Sequence, residues 1–306
     1  MFQFPLKQNS RIWINTRIHE VVKAYVNKVI GPINELNDEW SVECETEIKP
    51  SKEKSGIKVW VSWLQGQENA PEIVKACIDS IKDNAVDLDV IILDDVNFKD
   101  YISLPPFILK KYECGFITKT HFSDILRWAL MAKYGGYWID ATILLTKKIP
   151  SLDDKDLFTF KHDKDISHTY ISDGRWTGFF IGVKKNYKPA KIILTILYKY
   201  WQEKNELIDY FLIDYILDIV YLSNPQFSFD INNNAYFSKD LYYIAHNLKE
   251  NISPEIVSKI NASEFGVFKL TYKLQGEDYL RRHSLFNAIT TKRRGDFESL
   301  DHSNSL

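Results

Sequence analysis

The sequence is poor in cysteine and contains no long apolar run, and each absence excludes a class of protein. Its three cysteines, Cys44, Cys77 and Cys114, stand apart without a C-x-x-C pair. An odd number of isolated cysteines suits a reducing compartment rather than a disulfide-stabilised secreted fold. No apolar run approaches the roughly 20 residues of a membrane span, and residues 1–10 lack the apolar core of a secretory signal. We therefore expect a cytoplasmic protein of bacterial type.

An excess of charge and a dinucleotide signature are also missing. The net charge of −2 argues against a dedicated nucleic-acid-binding protein, so we expect no nucleic-acid partner. No G-x-G-x-x-G follows the first predicted strand, which disfavours a dinucleotide-dependent oxidoreductase. Apolar residues are plentiful at 45%, with 8 Trp and 17 Tyr. This is ample for the core of one large domain, or of a domain with an appendage.

The stretch from residue 121 to residue 145, HFSDILRWALMAKYGGYWIDATILL, is the most informative part of the chain. Ser123 is a favourable N-cap for an apolar helix that runs to Tyr134, and the pair Gly135-Gly136 ends it. A strongly apolar strand follows, interrupted by Asp140-Ala141-Thr142. A charged residue inside a buried strand is costly unless it is paired or bound to something. The polar residues at this point therefore indicate a site.

Two charged residues of the predicted helix lie on one face. Asp124 and Arg127 are three residues apart, so they form either an intrahelical ion pair of a few tenths of a kcal/mol or part of a site. Asp140 lies near a strand end, where open α/β sheets bind their ligands. We favour the site for all three.

The flanking sequence predicts an α/β fold. Apolar residues at helical spacing from Ile18 to Ile30 predict a helix that packs on the main domain. Val59–Leu64 and Asp89–Leu93 have the composition of buried strands, and a helix is predicted between them from Pro71 to Asn84. This order predicts a parallel strand pair with a right-handed crossover.

Three motifs in this chain resemble those of a known family. SDILR and GGYWIDAT, with VWVSWLQGQENAPEIVKACIDSI upstream, resemble the capsular polysaccharide synthesis proteins related to glycosyltransferase family 32. The resemblance covers roughly Val59 to Pro150, with weaker similarity to about Asp214. It implies an α/β fold with a GT-A-type, Rossmann-like sheet for a nucleotide-sugar and helical additions at both ends.

The resemblance also divides the chain into three parts. An N-terminal helical segment (1–55) packs on a GT-A core (56–190), and a mostly helical region (191–306) contributes to the acceptor site.

The resemblance implies roles for the central residues. Asp124 and Arg127 grip the transferred sugar, and Asp140 is the first acid of a DXD pattern that holds Mn²⁺ or Mg²⁺. Thr142, also on the donor side, stands where family 32 has the second acid. Phe268 stands where several related enzymes place a histidine.

The resemblance assigns further residues to the two substrates. Trp63, Gln65 and Gly66 are predicted to contact the nucleotide, although for Trp63 a place in the core is an equally good interpretation. Lys269 can meet the diphosphate. For the acceptor, the predicted contacts are Trp176, Asp209 and Tyr210.

The implied function is retaining transfer of a hexose, galactose or glucose, from a UDP-sugar to a lipid-linked glycan in capsular or surface polysaccharide synthesis. The replacements at Thr142 and Phe268 keep open a nucleotide-sugar or glycan binding module without catalysis. Basic residues between Lys269 and Gly295 alternate with large apolar ones. Such a segment can lie peripherally on an anionic membrane, or can be a solvated terminal helix that packs on the domain.

Overall fold

The computed structural model describes residues 8–33, 56–152, 154–162, 170–276 and 278–291. Within these ranges the helices are α1 Gln8–Ile30, α2 Glu72–Asn84, α3 Pro106–Glu113, α4 Lys119–Tyr134, α5 Lys188–Glu203, α6 Leu212–Ser223, α7 Pro225–Asn234, α8 Tyr243–Asn247, α9 Pro254–Asn261 and α10 Leu285–Thr291. The strands are β1 Lys58–Ser62, β2 Asp89–Leu93, β3 Gly136–Ile139, β4 Ile143–Leu145, β5 Leu157–Lys161, β6 Phe180–Val183, β7 Ala235–Phe237 and β8 Val267–Lys269.

A six-stranded sheet in the order β2-β1-β3-β6-β5-β7 forms the centre of the molecule. The strands β2, β1 and β3 are parallel, β6 is antiparallel to both of its neighbours, and β7 is parallel to β5. The predicted parallel pair of β1 and β2, joined by helix α2, is confirmed. The predicted α/β class is confirmed with it.

Both faces of the sheet are covered, which explains why β1 is apolar at successive positions. Trp60 belongs to the core that contains α4 and α5, and its indole nitrogen donates to the carbonyl of Gly135 at 3.0 Å. Val59 and Val61 point to the other face, into the core that contains α2 and β4. Adjacent residues of one strand thus serve two separate cores.

Helix α4 is the central helix and is buried on nearly every side. It begins at Lys119, and the Thr118 hydroxyl caps it by accepting a hydrogen bond from the His121 amide at 3.2 Å. The prediction of an N-cap at Ser123 is therefore wrong; the Ser123 hydroxyl donates to the carbonyl of Thr120. The first turn of α4 carries no apolar stripe, so the apolar periodicity predicts a helix start one turn too late.

The chain between β3 and β4 corrects a second prediction. The apolar run was predicted to be one interrupted strand, but Asp140-Ala141-Thr142 forms a turn closed by a hydrogen bond from the Ile143 amide to the Asp140 carbonyl at 2.9 Å. β3 stays in the large sheet, and β4 leaves it to pair with β8 in a separate two-stranded ribbon. The turn of residues 140–142 therefore lies where the chain passes from one sheet to the other.

The predicted N-terminal helix is confirmed as α1, which packs against α5 and α6. Its Lys23 ammonium donates to the buried carboxylate of Asp218 on α6 at 2.7 Å, and Arg175 approaches the same carboxylate at 2.6 Å. Residues 34–55 lie outside the described part of the chain. The boundaries predicted at residues 55 and 190 stay predictions.

Among the described residues, no helix is both long enough and apolar enough to span a bilayer.

The diglycine between α4 and β3 allows a close approach of two backbones. Gly136 has φ +92°, and a Cβ at this residue would overlap the carbonyl oxygen of Lys58 on β1. We expect Gly136→Ala to lower the free energy of unfolding by about 3 kcal/mol or more, because strained backbone and steric overlap add. Gly115 has φ +78° with open space around it, so Gly115→Ala isolates the backbone term of about 1 kcal/mol. Urea denaturation of both variants measures the difference, and equal losses would contradict this account.

Candidate active site

A cleft of about 500 Å³ lies at the carboxyl ends of β1 and β3. Its walls come from the β1–α2 loop, one face of α4, the turn after β3, the start of α6 and the chain after β8. It combines positive and negative side chains in a small space. The cations are Lys119, Arg127, Lys269 and Lys273, and the carboxylates are Asp124, Asp140 and Asp214.

The predicted pair on α4 lies in this cleft. Asp124 and Arg127 are only 8% and 6% exposed, and a carboxylate oxygen of Asp124 lies 3.0 Å from Nη1 of Arg127. On the other side of Asp124, Nδ1 of His121 lies at 3.5 Å. Trp201 donates its indole N–H to Nε2 of His121 at 2.8 Å, so in the neutral ring Nδ1 carries the proton and points it toward Asp124.

Asp140 is the third predicted residue and faces the same space. Its Oδ1 accepts from the Trp138 indole at 3.0 Å and lies 3.4 Å from Nη2 of Arg127, while its Oδ2 accepts from Lys269 at 2.8 Å. Burial acts to raise the pKa of this carboxyl, but Lys269, Arg127 and the hydrogen bonds outweigh it and hold the pKa below its usual value. Asp140 is therefore a carboxylate at neutral pH.

Lys269 bridges Asp140 and Thr142. Its ammonium donates to Asp140 at 2.8 Å and to the hydroxyl of Thr142 at 2.7 Å. The ribbon fixes this position, because Lys269 pairs with Ile143 in the antiparallel register of β4 and β8. All three residues line the cleft.

Asp214 is a carboxyl group of the cleft that was not among the predicted site residues. Burial raises its pKa to about 6, and the nearby negative charge of Asp124 acts in the same direction. Trp176 donates its indole N–H to this carboxylate at 3.0 Å. Trp176 itself is 1% exposed and does not line the cleft, so its predicted contact with the acceptor stays a prediction.

The two other predicted acceptor residues take different positions. Tyr210 is 60% exposed and lines the cleft beside Phe211. Asp209 does not line it; its carboxylate accepts from the Phe211 amide at 2.7 Å and so fixes the turn that begins α6. The predicted acceptor contact of Asp209 stays a prediction.

Two of the three residues of the β1–α2 loop that were predicted to contact the nucleotide line the cleft. Trp63 and Gln65 line it, and the Trp63 ring meets the Tyr272 ring edge to face at 5.2 Å. The indole nitrogen of Trp63 is buried and has no partner within the described residues. Gly66 does not line the cleft: it is buried and turns the loop at φ +87°.

Comparison with known protein families matches residues 7–289 to the family described as capsular polysaccharide synthesis protein. The chain belongs to the capsular polysaccharide synthesis protein family. The match extends well beyond the motifs that first indicated it and includes both helical additions. The predicted family is confirmed, and the central sheet is consistent with the predicted GT-A-type fold.

Solved structures with distant similarity to this capsular polysaccharide synthesis protein include two glycosyltransferases. "PaToxG Glycosyltransferase" has 15% identity and a TM-score of 0.38, with 74% of this chain and 84% of that chain covered. The glycosyltransferase GlyE of Streptococcus pneumoniae TIGR4 has 9% identity and a TM-score of 0.39, with 81% of this chain and 64% of that chain covered. The comparison with curated proteins found no match.

The predicted Mn²⁺ or Mg²⁺ does not fit the residues of this capsular polysaccharide synthesis protein as they stand. These hard cations are surrounded by several oxygen ligands, which include carboxylates. Asp140 is a single carboxylate whose two oxygens already contact cationic or N–H donors, and Lys269 lies between it and Thr142. In the part of the chain that the structure describes, no three His, Cys, Asp or Glu residues form a group that could hold a metal.

Asp214 and Tyr272 are the site residues that motif reasoning missed in this family member. Asp214 lies five residues after Asp209 in a continuous apolar run, and helical spacing grouped it with Asp218. The structure separates these two, because Asp218 binds Lys23 and Arg175 away from the cleft. Tyr272 follows β8 and carries no local signal; only its contact with Trp63 identifies it.

The raised pKa of Asp214 predicts a pH-dependent stability difference. Its protonated form is favoured by folding, so that contribution is present at low pH and is lost as the pH rises through about 6. Between pH 4 and pH 7 the wild type should lose about 2 kcal/mol of unfolding free energy relative to Asp214→Asn, which cannot ionise. Urea denaturation of both proteins at the two pH values measures this, and parallel pH dependence would contradict the assignment.

Proposed function

We propose that this protein transfers a hexose, galactose or glucose, from a UDP-sugar to a lipid-linked glycan during capsular polysaccharide synthesis. The observation that carries the proposal is the convergence of Asp124, Arg127 and Asp140 in one cleft at the carboxyl ends of parallel strands. Open α/β sheets bind nucleotides at this edge. Family membership supports the biological context.

The α4 pair has the properties needed to hold a sugar. Asp124 is ion-paired with Arg127 on one oxygen, and its other oxygen lies 3.5 Å from Nδ1 of His121. A carboxylate held by two neighbours keeps its orientation, so it can accept bonds from sugar hydroxyls without a large loss of side-chain entropy. Arg127 contacts both Asp124 and Asp140, and its guanidinium can donate to the sugar or to the diphosphate.

The aromatic part of the cleft suits a nucleobase. Trp63 and Tyr272 present aromatic surface, and the Gln65 side chain offers both a donor and an acceptor. Uracil has a flat face for such rings and polar edges for such donors.

The start of α6 suits the acceptor. Asp214 and Tyr210 line the cleft together with Asp140. In the transfer, the bond from the anomeric carbon to the diphosphate oxygen breaks and a bond to the acceptor oxygen forms. The acceptor proton passes to the departing diphosphate on the front face, and the resemblance to retaining enzymes supports an α-linkage. Asp214 can hold the acceptor by accepting a hydrogen bond from a second hydroxyl of the acceptor, not from the one that attacks.

The peripheral membrane contact remains a proposal that part of the basic segment supports. Leu285 and Ile289 are buried against the domain, and Lys269 faces the cleft. Leu280 is 55% exposed and lies beside Arg281 and Arg282, which are also exposed. The basic residues 292–294 lie outside the described residues.

Hydrolysis of UDP-galactose and UDP-glucose, measured as UDP release, tests the proposed activity. We expect Asp124→Asn to lower kcat/KM by about a hundredfold, because it removes a charged contact to the sugar and the partner of Arg127. Asp83→Asn, on the exposed side of α2, makes the same change of charge outside the cleft and should keep wild-type rates.

Two results would contradict the proposed transferase activity. Equal rates for the wild type and Asp124→Asn, with or without a glycan acceptor, while UDP still binds, would favour the binding module without catalysis. Absence of UDP binding would exclude both functions.

A further inference from the structure

A nucleotide-sugar site that uses carboxylates must neutralise a diphosphate. The diphosphate is negatively charged, and its negative charge increases when the sugar leaves. The cleft already contains three carboxylates, which repel it. Either a divalent cation or a fixed cationic side chain must therefore lie beside Asp140.

The position between Asp140 and Thr142 is taken by an ammonium group of the chain itself. Lys269 donates to an oxygen of each residue, at 2.8 Å and 2.7 Å. These are the two residues that the DXD pattern would use as metal ligands. A divalent ion placed there would lie within a few ångströms of the ammonium, and the like charges would repel strongly.

The position of Lys269 is built into the fold. Phe268 is fully buried in the core below the ribbon, so the alternation of side chains along β8 turns Lys269 to the opposite side. The Leu270 amide donates to the Thr142 carbonyl at 2.9 Å, which locks the strand to the turn. The ammonium also lies 5.2 Å from the centre of the Phe179 ring, which restricts it further.

Arg127 adds a second cation on the same side. Its Nη2 lies 3.4 Å from Asp140, and its guanidinium carbon lies 5.0 Å from the centre of the Trp138 ring. The side chain is buried, and its Nε has no partner within the described ranges. Arg127 and Lys269 balance the charges of Asp124 and Asp140. With Lys119 and Lys273, the cleft holds four cationic side chains against three carboxylates, so positive charge is available for a ligand.

We propose that Lys269, together with Arg127, supplies the positive charge that a divalent cation supplies in DXD-type enzymes, so that this site binds the diphosphate of its donor without a metal. The proposal rests on the proposed use of a nucleotide-sugar and names the group that holds its diphosphate.

Titration calorimetry with UDP tests the proposal on the unmodified protein. One titration contains EDTA, and two others contain MnCl₂ or MgCl₂. We expect UDP to bind in EDTA with a Kd within about twofold of the values with metal. Binding that appears only with Mn²⁺ or Mg²⁺ would overturn the metal-free site and leave the transferase standing. Absence of binding in all three buffers would overturn both.

Charge variants identify the group responsible. Lys269→Met should weaken UDP binding in EDTA by about tenfold to a hundredfold, because a charge-assisted bond to phosphate is lost. Lys269→Arg keeps the charge and should retain most of the affinity. Lys249→Met removes the same charge from an exposed position outside the cleft and should change the Kd less than twofold. Thermal unfolding midpoints establish that each variant is folded. Equal effects of the two Met variants would overturn the role of Lys269.

A double variant reverses the arrangement. Thr142→Asp restores the second acid of the DXD pattern, and Lys269→Ala removes the ammonium between the two acids. We expect UDP binding by this variant to require Mn²⁺, with at least a tenfold gain in affinity when the metal is added. Metal-independent binding equal to that of the wild type would contradict the proposal that Lys269 takes the place of the divalent metal ion.

Discussion

The ion pairs of Arg127 constrain the whole cleft. A buried guanidinium is costly unless carboxylates surround it, and Arg127 meets this requirement with Asp124 on its own helix and Asp140 on the neighbouring turn. The two contacts tie α4 to the end of β3 at a fixed distance. Gly178 lies beside the guanidinium, and a Cβ there would come within 3.3 Å of Nη1, so the approach of the next strand depends on a residue without a side chain.

The same charge network extends outward through elements that are remote in sequence. Lys269 brings the β4–β8 ribbon against Asp140, and Trp176 brings the loop before β6 against Asp214. Behind Trp176, Arg175 binds Asp218, which also accepts from Lys23 of α1. The N-terminal helix therefore supports the start of α6 through a chain of contacts, although it does not itself line the cleft.

Local sequence patterns predicted much of this fold, because the central helices and strands have clear apolar patterns. The strands β1 and β2 and the helix between them follow from apolar runs and a proline at the helix start, and the face shared by Asp124 and Arg127 follows from helical geometry. The split between β3 and β4 was not predictable in this way. The residues on both sides of the turn are apolar, and only the pairing with β8, more than a hundred residues later, shows that they belong to different sheets.

Parts of the site were not predicted for the same reason: they depend on contacts between residues that are distant in sequence. The contact of Lys269 with Asp140 joins residues 129 positions apart, so no spacing rule reveals it. Asp209 and Asp214 differ in position because α6 begins only at Leu212, so Asp209 precedes the helix and Asp214 lies in its first turn. Motifs therefore located the cleft and its central charges, while tertiary contacts decided which neighbouring residues face it.

A crystal structure of the protein with UDP, grown in the presence of EDTA, tests the central claim most directly. The account predicts that diphosphate oxygens lie within about 3 Å of the Lys269 ammonium and the Arg127 guanidinium, with the uracil beside Trp63. A diphosphate bound away from both cations would contradict it. So would a complex that forms only when Mn²⁺ is supplied and shows the ion coordinated by Asp140 with Lys269 displaced.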